Sequence, residues 1–228
     1  MTQPSVTSTE HTRILVVTAV EAEREAVLRG LSQADSVRYE VVAGGVGPAA
    51  VAASTAALLA AGGHRYELVI SAGIGGGFPG RADIGELVLA DTIVSADLGA
   101  ETPDGFLSVD ELGFGSSRIA AHAGWNTKLK NQLDAAGLNS TFAPILTVSS
   151  ATGTAATAAL RQRLVPGAAA EGMEGFGVAT AAAQLGIPVT ELRAISNAVG
   201  PRDRSAWRIG EALGSLEKAF AAFATITP

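Results

Sequence analysis

The chain has 228 residues, of which 47% are hydrophobic and 17% charged, with a net charge of −6, no cysteine and three histidines. Its length suits one well-buried core, and an acidic balance without a Lys/Arg stripe excludes nucleic acid as a partner, because phosphate backbones bind clustered cations. The absence of cysteine removes disulfides, a thiol nucleophile and Cys-based zinc sites, and scattered histidines give no basis for another metal centre, so neither metal nor cofactor is expected.

The opening "MTQPSVTSTEHT" (1–12) is polar and lacks a basic stretch ahead of an apolar one, so it reads as a flexible tail, not a secretory signal. "RILVVTAV" (13–20) is a continuous apolar run, as in a strand covered on both faces, and "EAEREAVLRGL" (21–31) follows as a helix with acids where the dipole favours them. "YEVVAGGVG" (39–47) is a second strand, and Pro48 opens a second helix through "AAVAASTAALLAAGG" (49–63). "YELVISAG" (66–73) is a third strand, giving way to a glycine loop "GIGGGFPG" (73–80). The long β segment "ELVLADTIVSADL" (86–98) arrives without an intervening helix, which predicts some antiparallel pairing. A helix (121–137), a strand (141–150), a helix (154–164) and a further helix "MEGFGVATAAAQLG" (173–186) ending in a C-cap glycine come next. "IPVTELRAISN" (187–197) is the last strand, and Ser205 is expected to cap a final helix running to about residue 224. Strands alternating with helices imply an α/β architecture with a largely parallel sheet. No linker or repeat interrupts 13–228, so a single domain is expected there; no run of about 20 apolar residues offers a membrane span, and a cytoplasmic location follows as an expectation.

Gly75, Gly77 and Gly80 formally satisfy the dinucleotide pattern G-x-G-x-x-G, but a strand follows where that pattern requires a helix to hold a pyrophosphate. Their reading is a loop that lets backbone approach a ligand. Nucleotide-phosphate, esterase and zinc-protease signatures are absent. Glu21, Glu23 and Glu25 lie just past the first strand, at the carboxyl edge where α/β proteins build sites. They are helix-start acids by one reading; by the other, one faces a cleft, since residues two apart on a helix point in different directions. Glu171 and Glu174 flank "GM" before an apolar, small-residue helix, where a buried acid is costly unless paired. Asn197 ends the last strand, either as a turn former or as a reader of a ligand.

Taken in order, "RILVVTAVEAERE", "SAGIGGG", "EGMEGFGVA" and "RAISN" resemble the purine nucleoside phosphorylase and nucleoside hydrolase superfamily. The likeness is to its methylthioadenosine/S-adenosylhomocysteine nucleosidase branch, and within that, through "LVVTAVEAERE" and "SNAVGPRDRSAW", to the futalosine hydrolases of the menaquinone pathway. The resemblance implies a three-layer α/β fold, a central mixed, partly barrel-like sheet flanked by helices. It implies hydrolysis of a purine N-glycosidic bond, with Glu23 as the water-activating acid, Glu174 on the ribose, Met173 packed on the sugar, and Gly73, Glu171 and Ser196 among the ligand contacts. It also implies a homodimer or higher homo-oligomer acting on a small-molecule purine nucleoside.

Where adenine-cleaving branches carry Asp, this chain has Asn197. An amide has no proton to give at neutral pH, but offers a donor for O6 and an acceptor for N7–H of a 6-oxopurine. Hypoxanthine release is expected, with an adenine-type nucleosidase or a purine nucleoside phosphorylase as the alternative. Three acids and one Arg24 at the first strand exit oppose phosphate and favour water as the nucleophile; Arg81 is the residue that would reverse this. Arg202, Arg204 and Trp207 are candidates for a carboxylate-bearing 5′ extension, Arg202 and Trp207 foremost.

Overall fold

The computed structural model describes residues 13–34, 38–62 and 65–226; the segment read as a tail lies outside them. Strands β1 (Arg13–Thr18), β2 (Tyr39–Ala43) and β3 (Tyr66–Gly77) run parallel, with β1 in the middle. Strand β4 (Leu87–Ser95) supplies the antiparallel pairing expected of it: Leu87–Leu89 run against β10 (Val189–Ala198), while its other edge is parallel to β8 (Ser140–Thr147). β9 (Ala170–Gly172) joins β8 to β3, and β10 pairs β3, so β3, β10, β4, β8 and β9 close into a five-stranded mixed barrel with β1 and β2 extending it. A short β7 (Arg118–Ala120) continues β4's edge, and β5 (Gly99–Thr102) with β6 (Gly105–Ser108) forms a separate hairpin.

Period-2 alternation sets the layers. Ile14 and Val16 of β1 face α1 (Glu21–Gly30), α3 (Ala123–Ala135) and α6 (Ile209–Phe223), through side chains such as Val27, Leu129 and Phe220. Leu15 and Val17 face the other way, toward α2 (Pro48–Gly62) and α5 (Gly175–Gln184), through Val51, Leu59 and Val178. The result is the three-layer mixed α/β fold. Helix α4 (Ala155–Leu164), capped by Thr154, covers a third cluster around Phe78 and Leu146. Among the described residues no helix is long and apolar enough to cross a membrane.

Three expectations are corrected. The glycine run after residue 73 is not a loop: β3 continues to Gly77, bonded to β10 on one side and β9 on the other. Its glycines answer crowding, since a Cβ on Gly75 would stand 2.6 Å from the Glu171 carbonyl oxygen and one on Gly77 2.3 Å from that of Ala82. The helix expected from Met173 starts at Gly175, after the short β9. The last helix starts at Ile209, because the Arg208 N–H bonds the Ser196 carbonyl (2.8 Å) and carries the chain across the end of β10; Ser205 sits in an earlier single turn, donating to Asp203.

Candidate active site

A cavity of about 540 Å³ opens at the carboxyl ends of β1, β3 and β10, the edge where parallel strands expose their loops and helix starts. Of the residues singled out from the sequence, Glu23, Glu171, Met173, Glu174, Ser196, Asn197, Arg202 and Trp207 line it. Gly73 does not; it stands behind Glu23, where a Cβ would come within 2.6 Å of Glu23 Oε1 and 2.7 Å of Arg193 Nη1. Glu21 and Glu25 are exposed, so only the middle acid of the three turns inward.

Glu23 is the third residue of α1 and is 4% exposed. Its Oε2 accepts from the Ala19 and Val20 N–H groups (2.9 and 3.3 Å) and its Oε1 from the Ile74 N–H (2.9 Å). The bonds to 19 and 20 satisfy donors at the helix start, and the third comes from β3. Glu174, at the cap position of α5 and 6% exposed, is held in the same manner: the Gly47 N–H (3.2 Å), the Met173 N–H (3.2 Å) and Arg193 Nη1 (3.2 Å) donate to it. Glu171 takes the Thr152 N–H (2.7 Å), the Thr152 hydroxyl and Arg161 Nη1. A carboxylate has about four acceptor positions, so each of the three is fixed by three donors and keeps one position for a ligand or water. Such groups need no reorganisation when a reaction develops charge.

Arg193, which holds Glu174, was not anticipated from the sequence. It is 1% exposed; besides Glu174, its Nε bonds Glu191 Oε1 (2.8 Å) and its Nη2 the Ser71 hydroxyl (3.1 Å). Burial works against this cation, but the carboxylates of Glu191, Glu174 and Glu23 outweigh it and hold the guanidinium above the usual arginine value. Burial also pushes the Glu191 carboxyl up, opposed by Arg193, and among the described residues Glu191 Oε2 has no hydrogen-bond partner. A readable signal existed: two opposite charges two apart in an apolar strand share a face, and an unpaired buried charge is prohibitive. Thr152 and Arg161 gave no comparable signal, because their partner is contributed by a different element.

At the far end of β10, Asn197 is half-buried. Its Oδ1 accepts from the Ser196 hydroxyl (2.8 Å) and its Nδ2 donates to the Ala198 carbonyl (3.1 Å), which leaves the amide one donor and one acceptor. Beyond it the Arg202 guanidinium lies 5.4 Å above the Trp207 ring, a cation–π distance. The other cations turn elsewhere: Arg24 bonds the Val41 carbonyl (3.0 Å) and Glu21, and exposed Arg81 borders a separate, shallower depression.

Known proteins share the sequence and fold of this chain. Residues 17–227 match the phosphorylase superfamily. The chain is 50% identical to a futalosine hydrolase of Streptomyces coelicolor over 229 residues, covering 93% of this chain and 95% of the relative. Its fold matches a futalosine hydrolase of Helicobacter pylori (TM-score 0.79, 17% identity, 92% and 96% of the two chains). It also matches a 5′-methylthioadenosine/S-adenosylhomocysteine nucleosidase of Neisseria meningitidis in complex with methylthio-immucillin-A (TM-score 0.78, 17% identity, 92% and 97%). The chain belongs to the phosphorylase superfamily and, within it, to the family of the futalosine hydrolases.

Proposed function

We propose that this protein hydrolyses the N-glycosidic bond of futalosine, releasing hypoxanthine and leaving dehypoxanthine futalosine. Half the sequence is shared with a futalosine hydrolase over nearly the whole chain, whereas the adenine-type nucleosidases are related at the level of fold. The observation that carries the reading is Glu23: a buried carboxylate, fixed by three backbone N–H groups, with one acceptor position left at the cavity.

In the reaction a water oxygen bonds to C1′ while the C1′–N9 bond breaks and its electron pair passes to the base. Glu23 orients that water and takes its proton, work worth roughly 10²–10⁴-fold for a positioned general base. Glu174, with Arg193 and two backbone N–H groups on it, accepts one ribose hydroxyl, and Met173 covers the sugar. At the departing base the free Asn197 N–H bonds O6 and the amide oxygen accepts from N7–H, whose proton comes from solvent because an amide supplies none. Ser196, bonded to Oδ1, fixes which way the amide points. Arg202 on the Trp207 ring holds the carboxylate of the 5′ extension. The protein works in the cytoplasm as a homo-oligomer in this reading; a sedimentation mass of a single 22.9 kDa chain would rule out the oligomer.

Incubation with futalosine, inosine and methylthioadenosine, with and without inorganic phosphate, followed by identification of the freed base, tests the assignment. Hypoxanthine from futalosine at the highest kcat/KM is expected. Faster release of adenine from methylthioadenosine would overturn it.

A further inference from the structure

Building on the reading of the cavity as a purine nucleoside site, we propose that Glu191 is a positioning residue for the sugar end of that site: it anchors Arg193 and, through Arg193, fixes the direction of the Glu174 carboxylate. Glu191 and Arg193 lie two apart on β10 and so share one face of the strand, between Val189 and Ile195, which pack in an apolar cluster. Glu191 is fully buried and is not among the residues that line the cavity, so it acts through other side chains. Its Oε1 accepts from Arg193 Nε at 2.8 Å, and Ser71, its register partner on β3, accepts from Nη2 at 3.1 Å. With those two bonds made, Nη1 is directed at Glu174 Oε2 (3.2 Å) and the Ile74 carbonyl (3.5 Å).

The same carboxylate braces the helix that Glu174 caps. A Cβ on Gly175, the first residue of α5, would stand 1.9 Å from Glu191 Oε2 and 2.2 Å from its Cδ, so the helix start rests on the carboxylate and only glycine fits there. Stability alone does not account for the arrangement. Desolvation of a buried ion pair largely cancels its attraction, and apolar residues of like volume are commonly as stable; among the described residues Glu191 Oε2 even lacks a hydrogen-bond partner. What the pair supplies is direction. A Cβ on Gly73 would lie 2.7 Å from Arg193 Nη1 and 2.6 Å from Glu23 Oε1, so the guanidinium and the Glu23 carboxylate flank one point. Freed at Nε, the guanidinium can turn toward Glu23. That turn withdraws a donor from Glu174 and fills the acceptor position that Glu23 keeps for water.

The test reads the hold on the sugar separately from the hold on the base. In a Glu23→Gln background, which removes turnover, calorimetric titration gives the affinities for inosine and for free hypoxanthine, without further change and with Glu191→Leu or Glu191→Gln added. Glu191→Leu lowers the inosine-to-hypoxanthine affinity ratio about 10- to 100-fold, the range of a hydrogen bond to a charged group, and Glu191→Gln, which keeps an oxygen for Nε, recovers most of it. With Glu23 in place, kcat on futalosine falls about 10²-fold in Glu191→Leu, as for a misplaced reacting group, and is again largely recovered in Glu191→Gln. Equal weakening toward inosine and hypoxanthine, with the ratio unmoved, would make Glu191 structural and overturn the proposal, as would a Glu191→Gln variant as impaired as Glu191→Leu. If wild type releases no base from any nucleoside yet the ratio moves as stated, the proposal stands and the hydrolase assignment falls. If wild type cleaves futalosine and the ratio stays put, the reverse holds. Should Glu191→Leu fail to give a cooperative thermal melt, the same ratio is read on Glu191→Thr, which suits a strand and is too short to reach Nε.

Discussion

Glu23, Gly73 and Asn197 each make a separable claim. Glu23→Gln keeps the shape and loses the base, so kcat should drop by roughly 10²–10⁴-fold while calorimetric affinity for hypoxanthine changes little; unchanged turnover would reassign the proton acceptor. Gly73→Ala forces a methyl into the space between Glu23 Oε1 and Arg193 Nη1, at 2.6 and 2.7 Å. Since small displacements of a reacting group cost about 10²-fold, kcat should fall by that order with a folded protein by thermal melt, and full activity would show that the two side chains are not jointly positioned for the reaction. Asn197→Asp places a carboxylate where O6 would lie, so release of hypoxanthine from futalosine should be lost; retained activity would make the amide a turn former after all. Glu23, Glu174 and Asn197 stand at the junction of a strand and a loop or helix start, and it is the resemblance of their motifs that singles them out in the sequence. For Arg193 the sequence offered only its charge partner two residues away, Glu191; its contacts with Glu174, Ser71 and Ile74 come from other parts of the chain.

Among the elements, β2 and α6 are joined by Tyr39, whose hydroxyl donates to the Phe223 carbonyl at 2.7 Å. Burial, partly offset by the Arg38 cation, raises this phenol from 10.0 to about 12. Below pH 10 both folded and unfolded forms hold a neutral phenol and the contact contributes fully; between pH 10 and 12 the unfolded chain ionises first, so stability falls as pH rises. Tyr39→Phe should cost about 1 kcal/mol near neutrality, and its melting-temperature deficit against wild type should shrink across that alkaline window. A constant deficit would separate the hydrogen bond from the ionisation. The long apolar strands were legible as apolar runs and α1 from its helix-start acids, whereas β5, β6, β7 and β9, of three or four residues, were not. Strands so short acquire their conformation from the neighbour they pair with. The same holds for Gly73–Gly77: alone they read as a loop, and the ladder to β10, joined by β9 at Gly76 and Gly77, makes them strand.

For the molecule as a whole, the charge distribution predicts indifference to phosphate. The net charge is −6, four carboxylates, Glu23, Glu171, Glu174 and Asp203, line the cavity, and the buried cation Arg193 is already engaged by Glu174 and Glu191. Added inorganic phosphate should therefore leave the rate of base release unchanged and yield no sugar phosphate; acceleration by phosphate would assign phosphorolysis instead. The α/β class and the order of the main strands and helices were determined by the sequence by itself, since apolar runs, caps and strand ends are local properties of the chain; the three acids and the terminal amide were singled out through the resemblance of the motifs that carry them. Closure of the barrel, the pairing of Glu171 with Arg161, the burial of Arg193 among carboxylates, and the placing of Asn197 and Glu171 on either side of Gly76 were decided only in the tertiary structure. Each depends on contacts between residues far apart in the chain, whose energies exist only once the strands have assembled.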